Sequence, residues 1–373
     1  MLQELNEEKV KVSHADLVRA LAAHERYATG RGGVRAQFKG ADLADLVLAN
    51  RMLDEAEFTA ASLVGANLYG SSLVRASFYC ADLRNCDLRN TKLINADLRG
   101  ASFRGANLAN AVLDRADLRA ATMVFVSRHE FSVIDRSETP GGTLGGVDFS
   151  NCSLRNTSFG NAKLDGANFS GAILIGVCFR GARMTDACFH DAVLMGTDVK
   201  ELHLPREAFD GCVMDSPPED GEISGRLKSM LADHQRWVNS GGRTGAGAVM
   251  DGLDVRPLHD AIAGLSLTGL SARNTIGVAM DFSECQLQGA KFDGADLRGA
   301  NFSRADLSGA SFKGAKLRHA VFEGSKLLSL PLRDRSVLKP TFEGADVSEQ
   351  QFRYATIDAP LAITDAQPTD AAD

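Results

Sequence analysis

The 373-residue chain is 44% apolar, ordinary for a folded protein, but only 6% aromatic with a single Trp, so its core must be assembled from small units. A formal net charge of −7 excludes the general phosphate attraction of a strongly basic nucleic-acid binder, and no apolar run is long enough for a signal peptide or a membrane span. Seven Cys without any C-x-x-C pair form neither a disulfide framework nor a zinc ribbon, which leads us to expect a reducing, cytoplasmic setting with no cofactor and no metal.

Residues 1–35 read as an N-terminal segment with one amphipathic helix, whose inner face carries Leu17, Leu21, His24 and Ala28. From Phe38 a different period takes over. Stepping by five gives Leu43, Leu48, Leu53, Phe58, Leu63 and so on to Leu118 and Met123, all apolar and in one phase. Two residues before most centres sits a small side chain, such as Ala41, Ala66, Ala81, Cys86 or Ala96, so the unit is small-x-Leu/Phe-x-x. Period five fits neither the 3.6 of a helix nor the 2 of a plain strand; it fits a short extended segment that turns a corner every five residues. Gly40, Gly65, Gly70 and Gly100, two residues after the centre, supply the backbone freedom of such a corner. The Phe positions count the sides. Phe38, Phe58 and Phe78 recur at twenty, and Phe149 to Phe189 and Phe282 to Phe322 recur at ten. A four-sided coil then stacks Phe over Phe on opposing faces, whereas a three-sided one would set Leu164 against Phe149.

The tandem A-[DN]-L-x-x units, as in Ala41-Asp42-Leu43, Ala66-Asn67-Leu68, Ala295-Asp296-Leu297 and Ala305-Asp306-Leu307, resemble the pentapeptide-repeat family. The resemblance implies an all-β solenoid, a right-handed quadrilateral β-helix with about four pentapeptides per coil. One branch, the quinolone-resistance type, mimics DNA and binds type II topoisomerases such as DNA gyrase.

The first β-helix is expected over 36–215. It is interrupted near 124–143, where 21 residues separate Met123 from Leu144. The apolar content there, including Val124, Phe125 and Ile134, favours a further coil with a one-residue bulge or short flap over a projecting loop. Residues 216–249 read as a linker and a second helix, since Leu227, Leu231, His234 and Val238 repeat the pattern of the first. The two short helices are expected to cap the open edges of two β-helical modules. The second module spans 250–357, with its phase running from Ile262 to Ile357, and the Pro-, Ala- and Asp-rich tail 358–373 is expected to be disordered.

Candidate chemistry is sparse. Asp42, Asp82, Asp97, Asp117, Asp296 and Asp306 all precede a central Leu, an outward and solvated position. Cys86, Cys152, Cys212 and Cys285 take the small inward position, whereas Cys80, Cys178 and Cys188 should face outward. His24 and His234 recur because the helix recurs, and packing or capping explains them. Lys+Arg against Asp+Glu is 10 and 10 over 38–123, 6 and 8 over 144–214, and 12 and 10 over 262–357, so the repeats are neutral and unlike a DNA mimic. The expected function is therefore a non-enzymatic protein-interaction or scaffolding surface, with topoisomerase binding as the alternative and no direct nucleic-acid or membrane contact. One face breaks the polar outward pattern. Ile173, Ile175, Val193, Met195 and Val213 should stack into an apolar stripe that either receives a protein partner or a second copy of the chain, or is covered by helix 224–238.

Overall fold

The computed structural model describes residues 10–126, 131–135, 146–215, 221–361 and 363. The chain divides into two compact units, Met1–Asp215 and Ser216–Asp373, each with its own continuous apolar core.

In each unit the pentapeptide builds a coil. The central residues from Phe38 to Leu118 at steps of five are all buried, as are those from Phe149 to Leu194. After each centre the chain turns: the Ala41 N–H donates back to the Phe38 carbonyl at 3.0 Å, and the second residue past the centre takes a left-handed backbone, as at Gly40 (φ 68°), Asp45 (φ 57°) and Asn50 (φ 57°). That requirement explains why Gly, Asn and Asp crowd this position. The corners also fit vertically. A Cβ on Gly70 would stand 2.4 Å from Asn50 Oδ1 one coil earlier, so glycine suits the corner above the Asn50 carboxamide as it is placed.

Parallel pairing links residues twenty apart, such as Glu57 with Ser77 and Ser77 with Asp97, so one coil consumes four pentapeptides. The Phe58 N–H donates to the Ser77 carbonyl at 2.7 Å, and the Ser77 N–H returns to the Ala56 carbonyl at 3.0 Å. The small inward position adds its own ladder. Sγ of Cys86, Cys152, Cys212 and Cys285 donates to the carbonyl of the central residue one coil back, at 2.8, 2.9, 2.8 and 3.1 Å. Burial pushes the Cys86 thiol up to about 12 and that of Cys285 to about 11, which keeps both as S–H donors.

Phe rings fill the axis as the four-sided count requires. Phe149, Phe169 and Phe189 stack at 5.0 and 4.9 Å, while Phe159 and Phe179 stack on the opposing face at 5.2 Å and meet the first column edge-on. Phe292 and Phe312 stack likewise at 5.1 Å.

Two segments leave the coil. Asn107 pairs with Asp148 and Val112 with Ser153, 41 residues apart instead of twenty, so the coils on either side of the interruption pair directly with each other. Thr122–Val126 instead pairs antiparallel with Phe131–Asp135 as a hairpin, which corrects the expectation of a bulged coil. The side chains expected to drive coil formation there, from Val124 onward, lie outside the residues whose side chains are described. In the second unit Ser311 pairs with Thr341 and Lys326 with Thr356, thirty apart, because ten residues bulge out around an antiparallel pairing of Leu330–Pro331 with Val337–Leu338. Leu332 and Val337, expected as core centres, are therefore exposed; Ile357, in register with Leu327 on the following coil, is exposed as well. The hairpin seats Leu330 and Leu338 over Gly309, where a Cβ would meet their Cβ atoms at 2.8 and 2.9 Å. The second unit also starts earlier than its five-residue phase suggested. Met250 and Val255 are buried central residues, and a seven-residue side containing the short 3-10 turn Arg256–Leu258 leads to Ile262. The tail beyond residue 363 lies outside the described residues.

Candidate functional site

Three surfaces distinguish themselves from the plain repeat: the capped leading edges, the charged faces, and the apolar face around Ile173.

Each leading edge is closed by an α-helix, α1 (His14–Ala28) in the first unit and α2 (Gly221–Asn239) in the second. Ser13 caps α1 by accepting the Asp16 N–H, and Leu17 anchors the helix in the core, as Leu227 and Leu231 anchor α2. His24 and His234 are wholly buried, and their Nδ1 atoms accept the backbone N–H of Ala36 at 3.0 Å and of Ala248 at 2.9 Å. The link from helix to coil is twelve residues from His24 to Ala36 and fourteen from His234 to Ala248, yet it ends the same way. Gly33-Val34-Arg35-Ala36 matches Gly245-Ala246-Gly247-Ala248, and a Cβ on Gly33 or Gly245 would stand 2.2 Å from the carbonyl oxygen of Ala23 or Asp233. Only glycine lets the chain pass the helix so closely, and that passage delivers the N–H to the imidazole. The His recurrence was visible in sequence. The Gly-x-x-Ala half was missed because the intervening loops differ by two residues.

The outward carboxylates are not simply solvated. Asp-Leu-Arg triplets put Asp and Arg on the same outward side, where the guanidinium grips the carboxylate with two hydrogen bonds: Arg84 on Asp82 (2.8 and 2.7 Å), Arg89 on Asp87 (2.9 and 2.7 Å) and Arg298 on Asp296 (2.8 and 2.6 Å). Asp97 and Asp117 are held likewise by Arg99 and Arg119, whereas Asp42 and Asp306 accept N–H groups two residues on. The Arg89 guanidinium holds the Asp87 carboxyl below its usual range. In the second unit Asp251, Arg273, Asp293, Lys313 and Glu343 stand one per coil in alternating sign; Arg273 lies 3.4 Å from Asp251 and 3.5 Å from Asp293, and Lys313 2.8 Å from Glu343. Opposite charges thus neutralise each other locally.

The five stripe residues do share one face: Ile173, Leu174 and Ile175 pair in register with Val193, Leu194 and Met195, and Val193 pairs with Val213. Its inner column is closed. Ile173 and Val193 have no exposed area although they stand outside the inner core, and Ser153 in the same column is 2% exposed; Ile175, Met195 and Val213 are half-buried. Desolvation also lowers the Arg155 guanidinium on this face, with Asp114 acting against it. Leu227 and Leu231 of α2 bury in the second unit's own core. The same face continues toward the N-terminus through Val112, Ile94, Val74 and Met52, of which Met52 is exposed and the rest are half-buried. The 21-residue interruption hid that continuation from a twenty-residue count.

The cysteines divide nearly as read. Cys178 and Cys188 are exposed, but Cys80 is buried, because Gly100 one coil later leaves room for its thiol beneath Ala121. Among the described residues no group of His, Cys, Asp and Glu is placed to hold a metal ion, and no helix is long and apolar enough to cross a membrane.

Coils of four pentapeptides, with small inward and Leu or Phe central residues, define a repeat β-helix. The family model "Pentapeptide repeats" matches this chain in eight copies, over 53–90, 86–123, 143–181, 164–200 and 281–327, and the chain belongs to that family. Among solved structures, it is similar to a pentapeptide repeat protein from the Arabidopsis thaliana thylakoid lumen, at 29% identity over 32% of this chain and 72% of that one (TM-score 0.22). It is also similar to Rfr23 from the cyanobacterium Cyanothece 51142, at 25% over 44% and 92% (TM-score 0.19), and to QnrB1, a plasmid-mediated fluoroquinolone resistance protein, at 17% over 52% and 92% (TM-score 0.25). No curated protein matches the sequence.

Proposed function

We propose that the chain is a non-enzymatic, cytoplasmic interaction scaffold, two right-handed four-sided β-helical modules, each closed by its own helix, that hold a protein partner. The observation that carries this reading is the local neutralisation of the outward charges. Carboxylates gripped by Arg across one residue, or laddered with a cation on the next coil, are poor general acids, bases or metal ligands, but they leave broad, stiff, nearly neutral faces suited to a protein. The departures from the repeat, the hairpins at 122–135 and 328–340, give such faces individuality. Affinity capture on the full chain from its native host, read by mass spectrometry, tests the proposal. One protein enriched stoichiometrically supports it, and turnover of a small molecule by the purified chain would replace it. The alternative, topoisomerase binding by DNA mimicry, requires continuous negative charge along a face. Supercoiling by DNA gyrase, measured with and without a fluoroquinolone at micromolar protein, separates the two. We expect neither inhibition nor protection.

A further inference from the structure

His24 and His234 do the same job at the start of two coils, and the job depends on a neutral ring. With Nδ1 accepting from Ala36 or Ala248, the imidazole carries its proton on Nε2. In each case Nε2 is fully buried without a hydrogen-bond partner, and first-coil backbone lies beside the ring, that of Asp54 at His24 and of Leu267 at His234. Each ring thus ties its helix to the leading edge through Nδ1 alone. An imidazolium has two donors and no acceptor, so a second proton would turn N–H against N–H and strand a cation with no exposed surface.

We propose that α1 and α2 are acid-released latches, and that proton uptake at Nδ1 of His24 or His234 frees the helix from the leading edge and opens the first-coil backbone at Ala36 or Ala248. The groups around the two rings differ. His24 faces Asp54 and Glu55, which favour its charged form, and Arg35, which opposes it; Tyr27 lies ring to ring at 5.8 Å and Arg75 pairs with Glu55. No charged side chain weighs on His234 among the described residues, and Trp237 lies beside it at 5.6 Å. Burial lowers the affinity of both rings for a proton while latched. A released ring titrates near the ordinary value of about 6.5, so the latch holds at full strength above that pH. Below it, the open-to-closed ratio rises about tenfold per pH unit, until the pH passes the latched pKa. Both latches therefore weaken in the same direction, as the pH falls through the ordinary imidazole range.

Amide hydrogen exchange on the full chain between pH 7.5 and 5.5, corrected for intrinsic rates, reads the latch directly. Opening at Ala36 and Ala248 should be flat near pH 7.5 and rise about fivefold between pH 6.5 and 5.5, while core amides such as Phe78 and Phe302 stay protected. His24→Asn and His234→Asn keep an acceptor for the same N–H but cannot titrate, and each should flatten its own site only. If a variant does not fold, the wild-type imidazole Cε1–H resonances decide: both must titrate below about 6.5. A pH-independent opening, a rise that survives in the Asn variants, a uniform loss of protection along the coil, or a buried His titrating at or above 6.5 overturns the proposal.

Discussion

Replacing Phe169 by Ala tests the stacked axis most directly. The ring has no exposed surface, stacks on Phe149 at 5.0 Å and Phe189 at 4.9 Å, and meets Phe159 and Phe179 edge-on at 5.9 and 5.8 Å. Truncating a buried Phe costs about 3–5 kcal/mol, and the loss grows with the void that remains. Here the void cannot close readily, because each neighbouring ring is carried by a backbone hydrogen-bonded to coils on both sides. Aromatic pairs add about 0.5–1.5 kcal/mol beyond area, and four are lost together, so we expect the upper half of that range. Asn168→Ala is the control on the same strand. It removes a hydrogen bond to Asp148 (3.1 Å) and the acceptor for the Ser170 N–H (3.0 Å) at a half-buried site, at about 1 kcal/mol. Urea unfolding of both variants followed by far-UV circular dichroism measures the difference. A loss below about 1 kcal/mol for Phe169→Ala, or equal losses for the two, would refute the argument that central rings carry the stability.

Gly65→Ala should cost more than Gly40→Ala: both have positive φ, but a Cβ at 65 would stand 2.3 Å from Asp45 Oδ1 and one at 40 meets nothing; adding Asp45→Ala should recover the difference in melting temperature. Val193→Asp buries an unpaired carboxylate and should lower stability by several kcal/mol, whereas Met195→Asp on the half-buried side should cost about 1 kcal/mol or less, both read by thermal melting. Deleting residues 328–337 removes ten residues, two whole pentapeptides, and should leave the coil folded with Ser311 brought back to twenty residues from its partner; loss of the native circular dichroism spectrum would mean that the hairpin with Leu330 over Gly309 is required.

The coil itself was legible because its requirements are local. A left-handed corner selects Gly, Asn or Asp, and an axis that admits one side chain per side selects Leu or Phe, so each pentapeptide declares itself. What could not be read was anything that preserved the count. The hairpin around Leu330 and Leu338 adds a multiple of five, so Leu332 and Val337 keep the phase of core residues while standing in solvent. The 122–135 hairpin carried apolar residues typical of a coil, and only strand pairing reveals that the stack skips it. At the stripe, sequence found the face and left open whether it is covered; periodicity alone carries no sign of the zero exposure of Ile173 and Val193. The Asp-Leu-Arg grips needed only the alternation of side chains about the centre, yet counting charges by segment averages them away.

Each coil presents its successor with the same edge that it received, so the pentapeptide carries no instruction for where stacking begins. The His and Gly-x-x-Ala junction supplies one, much as a seed fixes the first layer of a one-dimensional crystal. This chain holds two seeds. Growth of ordered structure is then expected to run from Ala36 and from Ala248 toward higher residue numbers, leaving the layers farthest from each seed, around Leu194 and around Phe352, as the last to order and the first to fray.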